Sequence, residues 1–69
     1  MTSSQFTKLL GTKKVCGLNV NGKWIYHIIP CTVEIMSVDP PWIEFDAKWD
    51  NKTRHYAIGF DQITGVELV

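Results

Sequence analysis

The apolar positions of this chain change period once. In the first ten residues Phe6, Leu9 and Leu10 recur at i, i+3 and i+4, which predicts a short helix over residues 2–10. Ser3 or Ser4 can cap it, and Thr2-x-x-Gln5 has the form of a capping box. Gly11 stands where a helix wants a left-handed residue at its end. Two turns are marginal alone in water, so the helix must dock, and a lid over one end of a sheet is the expected place.

From residue 13 onward the period is two, and the rest of the chain, 13–69, reads as β. Val15–Val20 is a strand, Asn21-Gly22 has the composition of a type I′ hairpin turn, and Lys23–Ile29 returns. Pro30 breaks the ladder or marks a bend, and Cys31–Val38 follows as a third strand. Asp39-Pro40-Pro41 forces a turn. Trp42–Trp49 alternates most clearly, with Ile43, Phe45, Ala47 and Trp49 on one face and Trp42, Glu44, Asp46 and Lys48 on the other. Asp50-Asn51-Lys52 turns the chain back into Thr53–Phe60, whose inward side chains are Tyr56, Ile58 and Phe60. A tight turn at residues 61–64 leads to a last strand, 65–69, with Val66 and Leu68 inward. The expectation is one all-β domain over residues 1–69: a five- to six-stranded barrel or curled meander behind a short helix.

Length sets how much this domain can do. At 69 residues and 7.9 kDa, folding hides on the order of 7,000 Å². If about 60% of that is apolar, burial contributes about 105 kcal/mol, against about 100 kcal/mol for ordering the chain. One core is possible and little is spare, so a homo-oligomer or a bound partner would help. A deep catalytic cleft is hard to build at this size, and no enzymatic activity is expected.

Composition excludes other classes. Hydrophobic residues make up 45% and charged residues 20% of the chain, which is globular rather than disordered. The longest apolar runs are too short to span a bilayer, and Met-Thr-Ser-Ser-Gln carries no signal-peptide pattern, so a cytoplasmic protein without membrane contact is expected. Cys16 and Cys31 fit no metal or redox spacing; two reduced thiols are expected, and a disulfide stays open. His27 and His55 have no ligand at a metal-like offset, so no metal and no cofactor are expected. His55 reads as an exposed strand residue, whereas His27 shares parity with Ile25 and Ile29.

The zero net charge hides an asymmetry: +4 through Val33 and −4 from Glu34 onward. Duplex DNA is not an expected partner, because its binders carry a clear positive excess. Two constellations remain. Lys13, Lys14 and Lys23 bracket Trp24 and Tyr26, which share a face; ammonium groups neutralise phosphates and flat rings stack on bases, so this hairpin could hold an anion or nucleotide. The same rings could equally be core. Glu44 and Asp46, i and i+2 on one strand face at about 7 Å, form with Asp50 an acidic face that begins at Trp42. An exposed Trp beside Pro40-Pro41 and charges has the composition of a protein-binding hot spot; the alternative is Trp42 folded back under the turn.

The strand, one-turn helix and closing strand of about the last thirty residues resemble SH3-like and Sm-like barrels. At residue level, Phe6…Leu9-Leu10, Gly11, Lys13-Lys14-Val15, Asn21-Gly22-Lys23-Trp24-Ile25 and Pro30 resemble the opening of the phage anti-Thoeris family that sequesters nucleotide signals. This implies a non-enzymatic phage protein that binds an anionic nucleotide, with Lys14, Lys23 and Trp24 the transferable positions. The functions expected are, in order, a phage or mobile-element module that inhibits a host defence system by binding a host protein, a sponge for a small nucleotide, and a single-stranded nucleic-acid binder. A phage product would work in the cytoplasm of the host cell.

Overall fold

A computed structural model describes residues 1–69. The chain folds as α1 (Ser3–Leu10), β1 (Val15–Val20), β2 (Lys23–Tyr26), β3 (Glu34–Met36), β4 (Trp42–Trp49), β5 (Lys52–Gly59) and β6 (Ile63–Leu68). Single 3₁₀ turns lie at Pro30–Thr32 and Phe60–Gln62. The strands form two three-stranded antiparallel sheets, ordered β2-β1-β6 and β3-β4-β5.

Helix α1 opens with the capping box that its sequence suggests. Thr2 Oγ1 accepts from the Gln5 N–H at 3.1 Å, and the Thr2 N–H donates to Gln5 Oε1 at 2.9 Å. It ends at Gly11, where φ is +50°. Phe6 is its one fully buried side chain and meets Phe60 edge-on, ring centroids 5.5 Å apart. The helix is thus pinned to the turn between β5 and β6.

The first hairpin turns through Asn21 and Gly22, both at positive φ, as a type I′ turn requires. Asn19 Oδ1 holds this turn in place, accepting from the Gly22 N–H at 2.8 Å and the Thr64 hydroxyl at 2.7 Å. The second hairpin turns through Asp50 and Asn51, again both at positive φ.

Two expected strands are shorter than their patterns. The return strand stops at Tyr26 rather than Ile29, because His27 flips to φ +61° and breaks the alternation. That flip turns His27 out to solvent instead of keeping it in line with Ile25. The chain then crosses to the other sheet: Ile28 bridges Ala47, the Lys48 N–H donates to His27 O at 3.0 Å, and the Ile29 N–H to Asp46 O at 2.9 Å. The third strand shrinks from residues 31–38 to Glu34–Met36, because Pro30 initiates a 3₁₀ turn that takes Cys31 and Thr32. Thr32 fastens that turn to β4 by accepting from the Asp46 N–H at 2.8 Å.

The core lies between the sheets: Phe6, Val15, Leu18, Ile28, Ile43, Phe45, Ala47, Ile58, Phe60 and Ile63 are buried. Val66, Leu68 and Tyr56 pack against it half-buried. Trp49 is a correction. Its parity matches Phe45 and Ala47, yet it is 68% exposed, because beyond the Ile28–Ala47 bridge the β4–β5 hairpin and β2 stand apart with a groove between them. Cys16 and Cys31 are both free thiols, and the Cys16 S–H donates to Glu67 O at 3.3 Å. No helix is long and apolar enough to cross a membrane.

Candidate functional site

Register decides which side chains meet. The first hairpin pairs Asn19 with Trp24 and Gly17 with Tyr26. Both rings therefore lie on the outer face of their sheet, over strand β1. They fit there because glycines lie beneath them. A Cβ at Gly17 would come within 3.1 Å of the Tyr26 ring, and one at Gly65 within 3.3 Å of the Trp24 ring. With no side chain in the way, the two rings lie nearly parallel, 12° apart at a centroid distance of 5.7 Å. Trp24 is 42% and Tyr26 49% exposed, which settles their position as surface.

Beside them runs a groove of about 350 Å³. Along one wall are all four residues of β2, Lys23, Trp24, Ile25 and Tyr26; Ala47, Trp49, Arg54 and Tyr56 of the second hairpin form the other. The two walls meet at the Ile28–Ala47 bridge and separate beyond it, where His27 packs on Trp49 at 5.2 Å between ring centroids. The groove is aromatic, its two charged lining residues are cations, and no carboxylate lines it.

Lys13 and Lys14 do not join this groove. Lys14 exchanges backbone hydrogen bonds with Val69 at the start of β1, while Lys23 pairs with Val20 at its end. Six residues of strand separate those ends, ~20 Å. Lys13 and Lys14 line a smaller depression of about 240 Å³ with Leu10, Val15, Pro30, Val33 and Ile35. Of the five residues read as one basic site, the fold brings together Lys23, Trp24 and Tyr26.

The acidic face assembles differently from its reading in sequence. Trp42 is half-buried, and its indole N–H donates to Glu44 Oε2 at 2.7 Å. Strand β5 places His55 opposite Asp46. The imidazole bridges both carboxylates, Nδ1 to Asp46 Oδ1 at 2.7 Å and Nε2 to Glu44 Oε1 at 2.9 Å. Glu34 stands across from Glu44 on the same face. Asp50 sits in the hairpin turn and takes no part in this network. The carboxylates are therefore held by His55 and Trp42, not by lysines of the first hairpin.

These contacts shift both titrating groups. The Trp42 indole, then His55, holds Glu44 below its ordinary 4.5; Asp46, then Glu44, holds His55 above its ordinary 6.5. A raised imidazole favours folding fully below 6.5, and that gain disappears as pH rises through the higher folded value. A lowered carboxylate favours folding above 4.5, and that gain disappears as pH falls through the lower folded value. The network is thus most favourable between 4.5 and 6.5. NMR titration of the two imidazoles should place the His55 midpoint above 6.5, and Asp46→Asn should lower it more than Glu44→Gln. A His55 midpoint at or below 6.5 would show that this network does not persist in solution.

No family model, curated protein or solved structure matches the chain. The sequence pattern puts Trp49 on the core face and His55 at an exposed strand position, and assigns neither of them, nor Arg54, to a site. A two-residue turn at Asp50-Asn51 fixes the cross-strand pairs of the second hairpin, and counting from it puts His55 across from Asp46.

Proposed function

We propose that the protein is a non-enzymatic binding module that acts by engaging a partner protein, as a small phage or mobile-element inhibitor of host defence would. The observation that carries the reading is the convergence of exposed Trp24, Tyr26 and Trp49 with Arg54 on one groove. Trp, Tyr and Arg are the residue types that dominate binding energy at protein interfaces. A chain this small leaves large rings in water at a cost in stability, and a partner that covers them recovers it. Trp42 is a weaker anchor than its sequence context suggests, since it is half-buried and its N–H is already engaged. The phage setting rests on the resemblance of residues 6–30.

The stacked rings beside Lys23 also favour a second reading, a sponge for a nucleotide or a short single strand, because flat rings stack on bases. One comparison separates the two. The chain and its Trp49→Ala and Trp42→Ala variants are used as bait in host lysate. A protein captured by the wild type and by Trp42→Ala, and lost with Trp49→Ala, is the expected result. Capture indifferent to Trp49 would overturn this choice of surface. A tight nucleotide at 100 times its Kd would instead stabilise the isolated protein by about 2.7 kcal/mol in a thermal shift.

A further inference from the structure

Strand β2 lies at the edge of its sheet. In a type I′ hairpin the residues flanking the turn exchange both backbone hydrogen bonds, and every second pair after them does the same. Here those pairs are Val20 with Lys23 and Leu18 with Ile25. The backbone N–H and C=O groups of Trp24 and Tyr26 therefore point the other way, out of the sheet. The chain next meets a partner strand on that side at His27, whose carbonyl accepts from the Lys48 N–H. Between the turn and His27 the edge is open, and the groove runs along it, with all four β2 residues in its wall.

We infer that an extended, acidic segment of the partner protein docks in this groove by adding as a strand beside β2, pairing with the backbone of Trp24 and Tyr26. This rests on the protein-partner reading and gives it a chemistry. Extended peptides add to exposed sheet edges through main-chain hydrogen bonds, with specificity from pockets for alternate side chains. Lys23 and Arg54 are the charged groups of the groove, and both are positive. The carboxylates Glu34, Glu44 and Asp46 lie on the outer face of the β3–β4–β5 sheet. Glu67 stands across β1 from Tyr26, beyond β2 from the groove. Charge complementarity therefore selects an acidic segment. A second copy of this chain offers no such segment in its own β2, since Lys23–Tyr26 carries no carboxylate. Four residues of edge, about 13 Å, set the length of the docked core, and Trp49 is placed to cover it from the hairpin tip.

The test presents a displayed library of random eight-residue peptides to the full chain, followed by amide exchange of the chain with the best synthetic peptide. Enriched peptides should carry Asp or Glu at alternate positions. Their binding should slow exchange of the Trp24 and Tyr26 amides, and Lys23→Glu with Arg54→Glu should weaken it about tenfold or more. Lys23→Gln with Arg54→Gln gives the same direction if the reversed pair folds poorly. Peptides without an acidic bias, unchanged Trp24 and Tyr26 amides, or no enrichment would each overturn strand addition. So would AMP or a thymidine octanucleotide shifting the groove resonances where no peptide does. A captured protein that needs Trp49 while those amides stay unprotected leaves the protein-partner reading in place and removes only the docking mode.

Discussion

Phe45→Ala should lose most of the stability of this domain. The ring is fully buried at the centre of the core and lies stacked against Tyr56, centroids 5.3 Å apart. Removing a buried Phe costs about 3–5 kcal/mol, from lost transfer energy plus the cavity left behind. Domains hold about 0.05–0.15 kcal/mol per residue, so a chain of this length has roughly 3–10 kcal/mol in all. The melting midpoint followed by circular dichroism should therefore fall by roughly 15–30 °C, or the variant should be unfolded at room temperature. Trp49→Ala is the control within the same strand and on the same face. It removes a larger ring that touches little core, and should change stability by no more than about 0.5 kcal/mol. Phe45→Ala melting within a few degrees of the wild type would show that the ring is not central to the core.

The contrast between Phe45 and Trp49 marks what the pattern of side chains can and cannot reveal. Alternation along β4 assigns a face to each residue, and Ile43, Phe45 and Ala47 are indeed buried. Alternation says nothing about how closely the opposing sheet approaches, and at Trp49 the two sides have separated into a groove. The placement of Trp24 and Tyr26 was equally open from sequence, because either ring could fill a core. Gly17 and Gly65 resolve it, since the space they leave is what lets the rings lie flat on the outer face. Both glycines are visible in the sequence, but their meaning depends on pairing across strands 9 and 41 residues away. The network on the other face shows the same dependence. Glu44 and Asp46 are legible as neighbours on one strand, whereas His55 joins them only through the register of the second hairpin. Where the backbone itself departs from alternation, at His27 and at Pro30–Thr32, periodicity overextends the strands.

Phe6→Ala should release helix α1 from the sheets. The helix has eight residues and one fully buried side chain, so little else ties it to the core. Leu9 is exposed, Leu10 is half-buried, and the terminal ammonium makes a 3.4 Å hydrogen bond to Ile63 O. Nucleation makes an unsupported helix of two turns marginal in water, even with its capping box intact. The variant should lose about 3–5 kcal/mol of global stability. It should also lose something Phe45→Ala does not isolate: a helix held independently of the sheets' own unfolding. Under conditions where the sheets of Phe6→Ala remain folded, the amides of Thr7 to Leu10 should exchange nearly as fast as in a free peptide, while those of β4 and β5 stay protected. Phe6→Leu, which keeps most of the apolar volume against Phe60, should restore part of that protection. If the helix amides of Phe6→Ala stay as protected as those of β4, then the capping box and Leu10 suffice to hold the helix, and its contact with Phe60 is not what docks it.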